Sequence, residues 1–297
     1  MEKKFLLVGA LLLAGGFSTM NADVIYVTES GSGDGTSWSS AASLEDALSW
    51  AAAGDEVFVA KGTYTGSFKL RAAAKVYGNC VGTETEPPTY TTAEGLETFL
   101  KGPGGKRVLY LDGKASEIYG LDISGGDAST ETTGVGRGGG VYINNGGATL
   151  KYCNIHDNIG VDGSKNILGS NGKALKGVGG GLYVLNGRLE NCIIENNIAT
   201  TAPWEDTSKT WSTGIGGGIC LDATEGNGCN PDNAIVLNCI IRNNSTTPTD
   251  DGDSFQSQGG GIAIKSGKLI NSLVVGNSVN GSLNNQSVGG GVCCTEK

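Results

Sequence analysis

The chain has 297 residues with a formal net charge of -9, and it contains 51 glycines but only 6 prolines. An acidic chain is a poor match for nucleic acid or for an anionic lipid surface, so neither is expected as a partner. So much glycine without proline excludes collagen-like and proline-rich linker chains, and it indicates many tight turns.

Residues 1–22 have the pattern of a secretory signal peptide. Lys3 and Lys4 precede an apolar run over residues 5–17, and Ala22 is a small residue at the point where cleavage is expected. The run is too short to span a membrane. We therefore predict an exported mature chain without a membrane span, in a compartment where disulfides can form.

A short helix is predicted over residues 44–53. Ser43 can cap its N-terminus and Gly54 can stop it. Leu44 and Leu48 fall on one face, which gives the helix an apolar side to bury. Strands are predicted around residues 24–27, 57–60, 67–70 and 75–77.

The rest of the chain is organised by a repeated unit, which is clearest in GGGLYVLNGRLENCIIENN from Gly179 to Asn197. Copies begin at Gly138, Gly216, Gly259 and Gly289, a spacing of roughly 30 to 43 residues. Like residues align in columns: Leu150, Leu189, Val236 and Leu269; Cys153, Cys192, Cys239 and Ser272; Ile155, Ile194, Ile241 and Val274; Asn158, Asn197, Asn244 and Asn277. Ile118, Leu121 and Ile123 fill the first three columns of an earlier, degenerate copy.

This periodicity predicts the fold class. Apolar residues at period two, in units too short to bury their own apolar face, indicate strands that stack in parallel about 4.8 Å apart. We expect an all-β parallel β-helix, a solenoid of about six or seven rungs, with the short helix as the N-terminal cap of its first open edge.

Two stretches carry a resemblance to known families. The opening segment, with IYV, the loop GSGDGTSW, LEDALSWAAAGDEVFVAKGTY, KVYGN and GTETE, resembles that of bacterial secreted right-handed β-helix proteins with the pectin-lyase-like fold. The GGG-apolar and NCIIxNN units resemble the repeats of polymorphic outer-membrane proteins and related surface adhesins. The resemblance covers nearly all of the mature chain. It implies a right-handed helix and a location outside the cell or on the bacterial outer-membrane surface.

The chain is accordingly divided into three parts. Residues 1–22 are the signal peptide, residues 23–80 hold the first strand, the capping helix and the first rung, and residues 81–297 hold the remaining rungs. The sequence stops just after a strand that should begin another rung. We expect either a truncated C-terminal region, which we favour, or end-to-end pairing of the bare strand edges.

The resemblance implies adhesin-like binding of a glycan or another surface ligand without catalysis, and this is the predicted function. The alternative is a lyase or glycoside hydrolase acting on acidic polysaccharide, because enzymes of this fold class use Arg or Lys as a base with calcium on carboxylates, or use paired Asp. Whether the chain is an enzyme is left open, with a preference for no. We expect no such carboxylate cluster at outward strand positions, which hold Tyr142, Tyr183, Cys220, Ala263 and Cys293.

One outward column could carry chemistry. His156, Glu195 and Arg242 occupy equivalent positions of successive repeats, so stacked strands would hold them about 5 Å apart. They could share protons or hold a uronate. The interpretation that we favour is a solvated ladder of ion pairs, so no catalytic residue is assigned.

The inserted loops offer two further candidates. They lie between the Asn column and the next glycine triplet, and therefore on one flank of the stack. Trp204 and Trp211 could stack on sugar rings, although anchoring of their loop is favoured. Asp250, Asp251 and Asp253 could hold calcium, although a solvated acidic turn is favoured because their spacing matches no defined calcium loop. No other cofactor is expected.

The cysteines suggest two roles. Cys153, Cys192 and Cys239 share one inward column and are predicted to be stacked, buried thiols. Cys220 and Cys229 flank an insertion and could close it with a disulfide. No Cys or His spacing is typical of a zinc site.

Overall fold

Parallel strands in three long sheets make up the fold. The computed structural model describes residues 22–144, 146–162, 176–201, 214–223, 232, 234–246, 258–279 and 289–294. Within these residues the first sheet has eight strands, in the spatial order Val24–Val27, Glu56–Ala60, Lys75–Cys80, Glu117–Tyr119, Ala148–Lys151, Gly187–Glu190, Ala234–Leu237 and Lys268–Ile270. The second sheet has seven: Gly62–Thr65, Thr98–Lys101, Asp122–Ser124, Asn154–His156, Ile193–Glu195, Ile240–Arg242 and Leu273–Val275. The third also has seven: Phe68–Leu70, Leu109–Leu111, Val141–Ile143, Leu182–Val184, Ile219–Asp222, Ile262–Ser266 and Val292–Cys294.

One coil of the chain visits the three sheets in turn. From Val141–Ile143 in the third sheet, the chain passes to Ala148–Lys151 in the first and to Asn154–His156 in the second. It returns to the third sheet at Leu182–Val184, beside its starting strand and parallel to it. The fold is a right-handed parallel β-helix, and right-handed is the hand that parallel crossover connections almost always take.

Short strands at the two ends of the inserted loops extend the stack. Ile159–Val161, Ile198–Thr200, Ser245–Thr246 and Ser278–Val279 form a four-stranded parallel sheet, and Gly177–Val178 pairs with Gly214–Ile215. The segments that the repeat alignment assigned to loops therefore begin and end as part of the rod. Strands of two or three residues are too short to give a periodic signal.

The core fills the inside of the coil, and the aligned columns lie there as predicted. Leu150 lies between Ile118 and Leu189 on neighbouring strands, and Ile155 lies next to Ile123. All five side chains are at most 1% exposed. Alternate residues of each strand thus point into one shared interior.

The predicted column of buried thiols is confirmed. Cys153, Cys192 and Cys239 are free cysteines that are at most 1% exposed. Burial away from water raises the pKa of Cys192 well above its usual value, so this thiol stays protonated and unreactive. Cys220 is buried as well, whereas Cys229 lies outside the described residues, so the disulfide between these two stays a prediction.

The asparagine column forms a hydrogen-bonded ladder inside the rod. The side-chain Nδ2 of Asn158 donates to Oδ1 of Asn197 at 3.0 Å, Asn197 donates to Asn244 at 2.9 Å, and Asn244 donates to Asn277 at 2.9 Å. Each acceptor oxygen also takes the backbone N–H of the asparagine one coil earlier. The first three asparagines are fully buried, and their polar groups are satisfied by one another and by backbone groups of the neighbouring coils.

The N-terminal helix spans Leu44–Trp50 and packs against the strand Phe68–Leu70. Ser43 caps it as predicted, because its hydroxyl accepts the backbone N–H of Asp46 at 3.1 Å. The helix ends at Trp50, three residues earlier than predicted. The carboxylate of Asp55 accepts the backbone N–H of Ala52 at 2.8 Å, which stabilises a turn where further helix was expected.

The glycine triplets bring the chain back into the stack. The first glycine of a triplet has a positive φ, for example 67° at Gly179. A Cβ atom there would lie 1.9 Å from the carbonyl oxygen of Leu182, so only glycine fits. The structural role predicted for the triplets is therefore confirmed.

Within the described residues, no helix has the length and apolar character needed to cross a membrane. The predicted signal peptide, residues 1–22, lies outside those residues except for Ala22, so it stays a prediction.

The inward column predicts that Ile194→Asp unfolds the rod. Ile194 is 0% exposed, and an unpaired carboxylate there would lose its hydration without gaining a partner. We expect cooperative loss of the β-sheet signal at ordinary temperature, measured by circular dichroism. Ile270→Asp is the control, because Ile270 is 43% exposed, and it should leave the unfolding temperature nearly unchanged. An unfolding temperature for Ile194→Asp equal to that of the control would contradict the register.

The ladder predicts that Asn197→Ala is strongly destabilising. The change removes the hydrogen bond to Asn244 and leaves the buried backbone N–H of Asn158 without its acceptor. We expect the free energy of unfolding to fall by about 3 kcal/mol in denaturant titration. Asn154→Ala, on the half-buried outer face of a neighbouring strand, should lower it by roughly 1 kcal/mol or less. Equal effects of the two changes would argue against the ladder.

Candidate functional site

The candidate site is an outward column on the second sheet. Its residues occupy equivalent positions on neighbouring strands, in the order Lys101, Ser124, His156, Glu195, Arg242 and Val275. They face outward because the residue before each one, such as Ile155 or Ile194, is buried in the core. The repeat alignment therefore placed His156, Glu195 and Arg242 correctly side by side.

His156 lies between two carboxylates. Its Nε2 atom is 2.8 Å from Oδ1 of Asp122, and its Nδ1 atom is 2.6 Å from Oδ2 of Asp157. Asp122 also accepts a hydrogen bond from the side chain of Asn154 at 3.2 Å. Ionised carboxylates only accept hydrogen bonds, so both ring nitrogens of His156 must donate.

This geometry favours the charged imidazolium. The hydrogen bond to Asp122 is the largest cause that raises the pKa of His156, which reaches about 9, and Asp157 acts in the same direction. Partial burial opposes the shift. At neutral pH, His156 is therefore a cation that holds two protons and cannot accept another.

Glu195 and Arg242 form the next pair of the column. Nε of Arg242 donates to Oε2 of Glu195 at 2.6 Å. The carboxylate side chain is 17% exposed and the arginine side chain 37% exposed. Bonding through Nε leaves the two terminal nitrogens of the guanidinium as donors at the surface.

Besides Glu195, which the sequence analysis placed in the column, the sheet carries a second outward carboxylate that was not identified from the sequence. Asp122 is only 8% exposed, and it reaches His156 diagonally from the adjacent strand. Sequence reasoning missed Asp122 because it compared one outward column at a time. The sequence Asp122, Ile123, Ser124 could have indicated this carboxylate. If Ile123 is buried, both of its neighbours on the strand must point outward.

The outward column of the third sheet is covered by other parts of the chain. Its residues lie in register and are at most 5% exposed: Tyr142, Tyr183, Cys220, Ala263 and Cys293. The guanidinium of Arg107 lies 4.8 Å from the ring centre of Tyr142, and that of Arg137 lies 5.0 Å from the ring of Tyr183. Val178 and Ile215, at the ends of inserted loops, pack on the same cluster. From Tyr142 to Cys293 this face is therefore a second core, whereas Tyr110 and Lys69, at the start of the same column, are not fully buried.

An aromatic row on the first sheet was also missed. Tyr26, Phe58, Tyr77 and Tyr119 are successive members of one outward column, and their ring centres are 4.9 to 5.8 Å apart. Tyr90, which belongs to the segment between two strands, stacks on Tyr119 and partly covers the row. The repeated strands IYV, VFV, VYG and IYG carried this signal.

The remaining candidates lie outside the described residues. These are the aromatic pair Trp204 and Trp211 and the acidic residues Asp250, Asp251 and Asp253. Their predicted roles in sugar stacking and calcium binding stay predictions. Among the described residues, no group of three or more His, Cys, Asp or Glu side chains is placed to hold a metal ion.

Comparisons with known proteins give distant similarities only. No protein-family model matches the chain, and no curated protein sequence matches it. Among solved structures, a pectin methylesterase from Aspergillus niger is 13% identical with a TM-score of 0.36, over 91% of this chain and 85% of the other. The pectate lyase Pel9A is 13% identical with a TM-score of 0.33, over 89% and 80%.

A third similar structure is the tailspike protein of an Acinetobacter baumannii bacteriophage, a capsular polysaccharide depolymerase. It is 12% identical with a TM-score of 0.36, over 91% of this chain but only 48% of the tailspike. These three similarities are too distant to assign an activity to this chain.

The two carboxylates beside His156 lead us to expect that its imidazole titrates at an unusually high pH. His156 is the one histidine of the sequence, so its ring signals in an NMR titration need no assignment. We expect a midpoint near pH 9, well above the usual 6.5, and a lower midpoint in Asp122→Asn. Because folding raises this pKa, the stabilisation is complete below pH 6.5 and is lost as pH rises through about 9. A midpoint at or below 6.5 would contradict the paired geometry.

Proposed function

We propose that the mature chain is an exported, adhesin-like β-helix protein that binds a polysaccharide along the outer face of its second sheet without cleaving it. Export is inferred from the predicted signal peptide, and a place outside the cell or on the bacterial outer-membrane surface is inferred from the resemblance of the repeats to surface adhesins.

One observation carries the choice of binding over catalysis. The acid–base groups at the middle of the column already form ion pairs: His156 with Asp122 and Asp157, and Arg242 with Glu195. A general base needs a pKa near the working pH and a free position for the incoming proton. His156 has neither, because its pKa is raised to about 9 and both ring nitrogens are occupied.

The same face supports the binding of a linear polymer. Neighbouring rungs repeat about every 4.8 Å, and the exposed Lys101 and the guanidinium of Arg242 offer charged donors at two levels of the column along the rod. An ammonium group and the terminal nitrogens of a guanidinium suit the hydroxyls and carboxylates of a sugar chain. Each contact is weak at the surface, so affinity would come from many rungs together.

The alternative is a lyase or glycoside hydrolase that acts on acidic polysaccharide. It requires that substrate binding separate His156 from Asp122, or Arg242 from Glu195, so that one of these groups can exchange a proton. The same experiment therefore tests both functions.

The test exposes the chain from residue 23 to a panel of acidic and neutral polysaccharides with calcium present. Binding is followed by retention on each immobilised polymer, and cleavage by the absorbance of unsaturated products and by new reducing ends. We expect retention on at least one polymer without product. Arg242→Ala should weaken retention about tenfold because it removes a charged donor, whereas Lys114→Ala, an exposed cation outside the column, should not.

Two outcomes would overturn the proposal. Product released from one polymer and abolished by His156→Ala or Arg242→Ala would make the column an active site. If the chain binds no polymer of the panel, the proposal that its ligand is a polysaccharide is wrong.

A further inference from the structure

A groove lies at the N-terminal end of the rod, between the helix Leu44–Trp50 and the strand Phe68–Leu70. Its volume is about 340 Å³. Leu48 and Ala51 of the helix side, both buried, line it as an apolar floor. It lies on different elements from the His156 column and is a separate surface.

The strand side of the groove carries polar residues at every second position. Phe68 and Leu70 point into the core, with exposures of 7% and 0%. The residues between and beside them, Ser67, Lys69 and Arg71, therefore share the outer side of the strand, and all three line the groove.

The two cations differ in how far they are already engaged. Nζ of Lys69 lies 3.6 Å from a carboxylate oxygen of Asp112 and 4.4 Å from the ring centre of Tyr110. Arg71 is exposed and makes no hydrogen bond or ion pair with any described residue. Glu45 is the one acidic residue that lines the groove, on the helix side. Asp112 partly balances Lys69, so the exposed guanidinium of Arg71 is the positive charge that the groove offers to a ligand.

We propose that this groove binds the anionic group of a charged sugar, a sulfate or a carboxylate carried on the ring. The inference rests on the proposed function, because it selects, within the glycans, those that carry negative charge. It adds a second contact point at the end of the rod, away from the second sheet.

The chemistry of the lining explains the choice. The planar guanidinium of Arg71 can donate two parallel hydrogen bonds to a sulfate or carboxylate, and Lys69 adds a second positive charge. The hydroxyl groups of Ser49 and Ser67 can bond the ring hydroxyls of the sugar. Leu48 and Ala51 offer an apolar floor to the C–H face of the ring.

The test measures the affinity of the chain from residue 23 for three soluble polymers: dextran sulfate, polygalacturonate and uncharged dextran. The variants are Arg71→Gln, Lys69→Gln and the pair of changes together. Lys114→Gln is the matched control, because Lys114 is exposed, loses the same charge and does not line the groove. Thermal unfolding of every variant checks that the fold is intact.

We expect Arg71→Gln to weaken binding of an anionic polymer about tenfold and the double change to weaken it further, with no effect of Lys114→Gln. Loss confined to dextran sulfate identifies a sulfate ligand, and loss confined to polygalacturonate identifies a carboxylate ligand. Affinity for uncharged dextran should be equal in all variants.

If the Arg71→Gln variant binds the anionic polymers as tightly as the Lys114→Gln control does, the groove is not a binding site for them. Comparison with Arg242→Gln separates the two proposals. If Arg242→Gln weakens glycan binding and Arg71→Gln does not, the proposed binding face on the second sheet is supported and the proposed site in the groove is wrong. If the unmodified chain binds none of the polymers, both fail.

Discussion

The constraint that governs this molecule is the parallel, in-register stacking of its coils. Each residue lies about 4.8 Å from the residue at the same position one coil away. A side chain must therefore pack favourably against an identical or similar side chain on the next coil. Asparagine does this in the interior, because its amide both donates and accepts: Asn158, Asn197 and Asn244 pass one hydrogen bond along the rod. Leucine and isoleucine satisfy the same demand by packing alone, and the thiols do so by packing together with hydrogen bonds to backbone carbonyl oxygens.

On the outer faces the same constraint selects between two solutions. Aromatic rings can stack on their own kind, as Tyr77 and Tyr119 do with ring centres 4.9 Å apart. Charged residues cannot, because like charges at this distance repel, so signs alternate along a column. Lys151 accordingly has Glu190 as its neighbour in the column, at 3.9 Å, and it also reaches Glu117 diagonally on the adjacent strand, at 3.1 Å.

The extent to which the sequence predicts this structure follows from the same rule. A column such as Leu150 and Leu189 is visible in the sequence because stacking forces equivalent positions to be alike. Covered faces are not visible, since Arg107 reaches Tyr142 from a segment that has no repeat. The contact of Asp122 with His156 was missed for a related reason, because it joins two columns diagonally and alignment within one column cannot show it.

The charged side chains of the outer faces differ in whether the stacked coils supply them with a partner of opposite charge. Along the second sheet, His156 and Arg242 each have an acidic partner, and the same pairing that stabilises the column occupies both ring nitrogens of His156. The strand Phe68–Leu70 differs, because it is the first of its sheet and has a strand neighbour on one side only. Arg71, just beyond that strand, has no earlier coil to supply a balancing carboxylate. Arg71, at the end of the rod, thus has no acidic partner among the described residues, whereas His156 and Arg242 within the rod each have one.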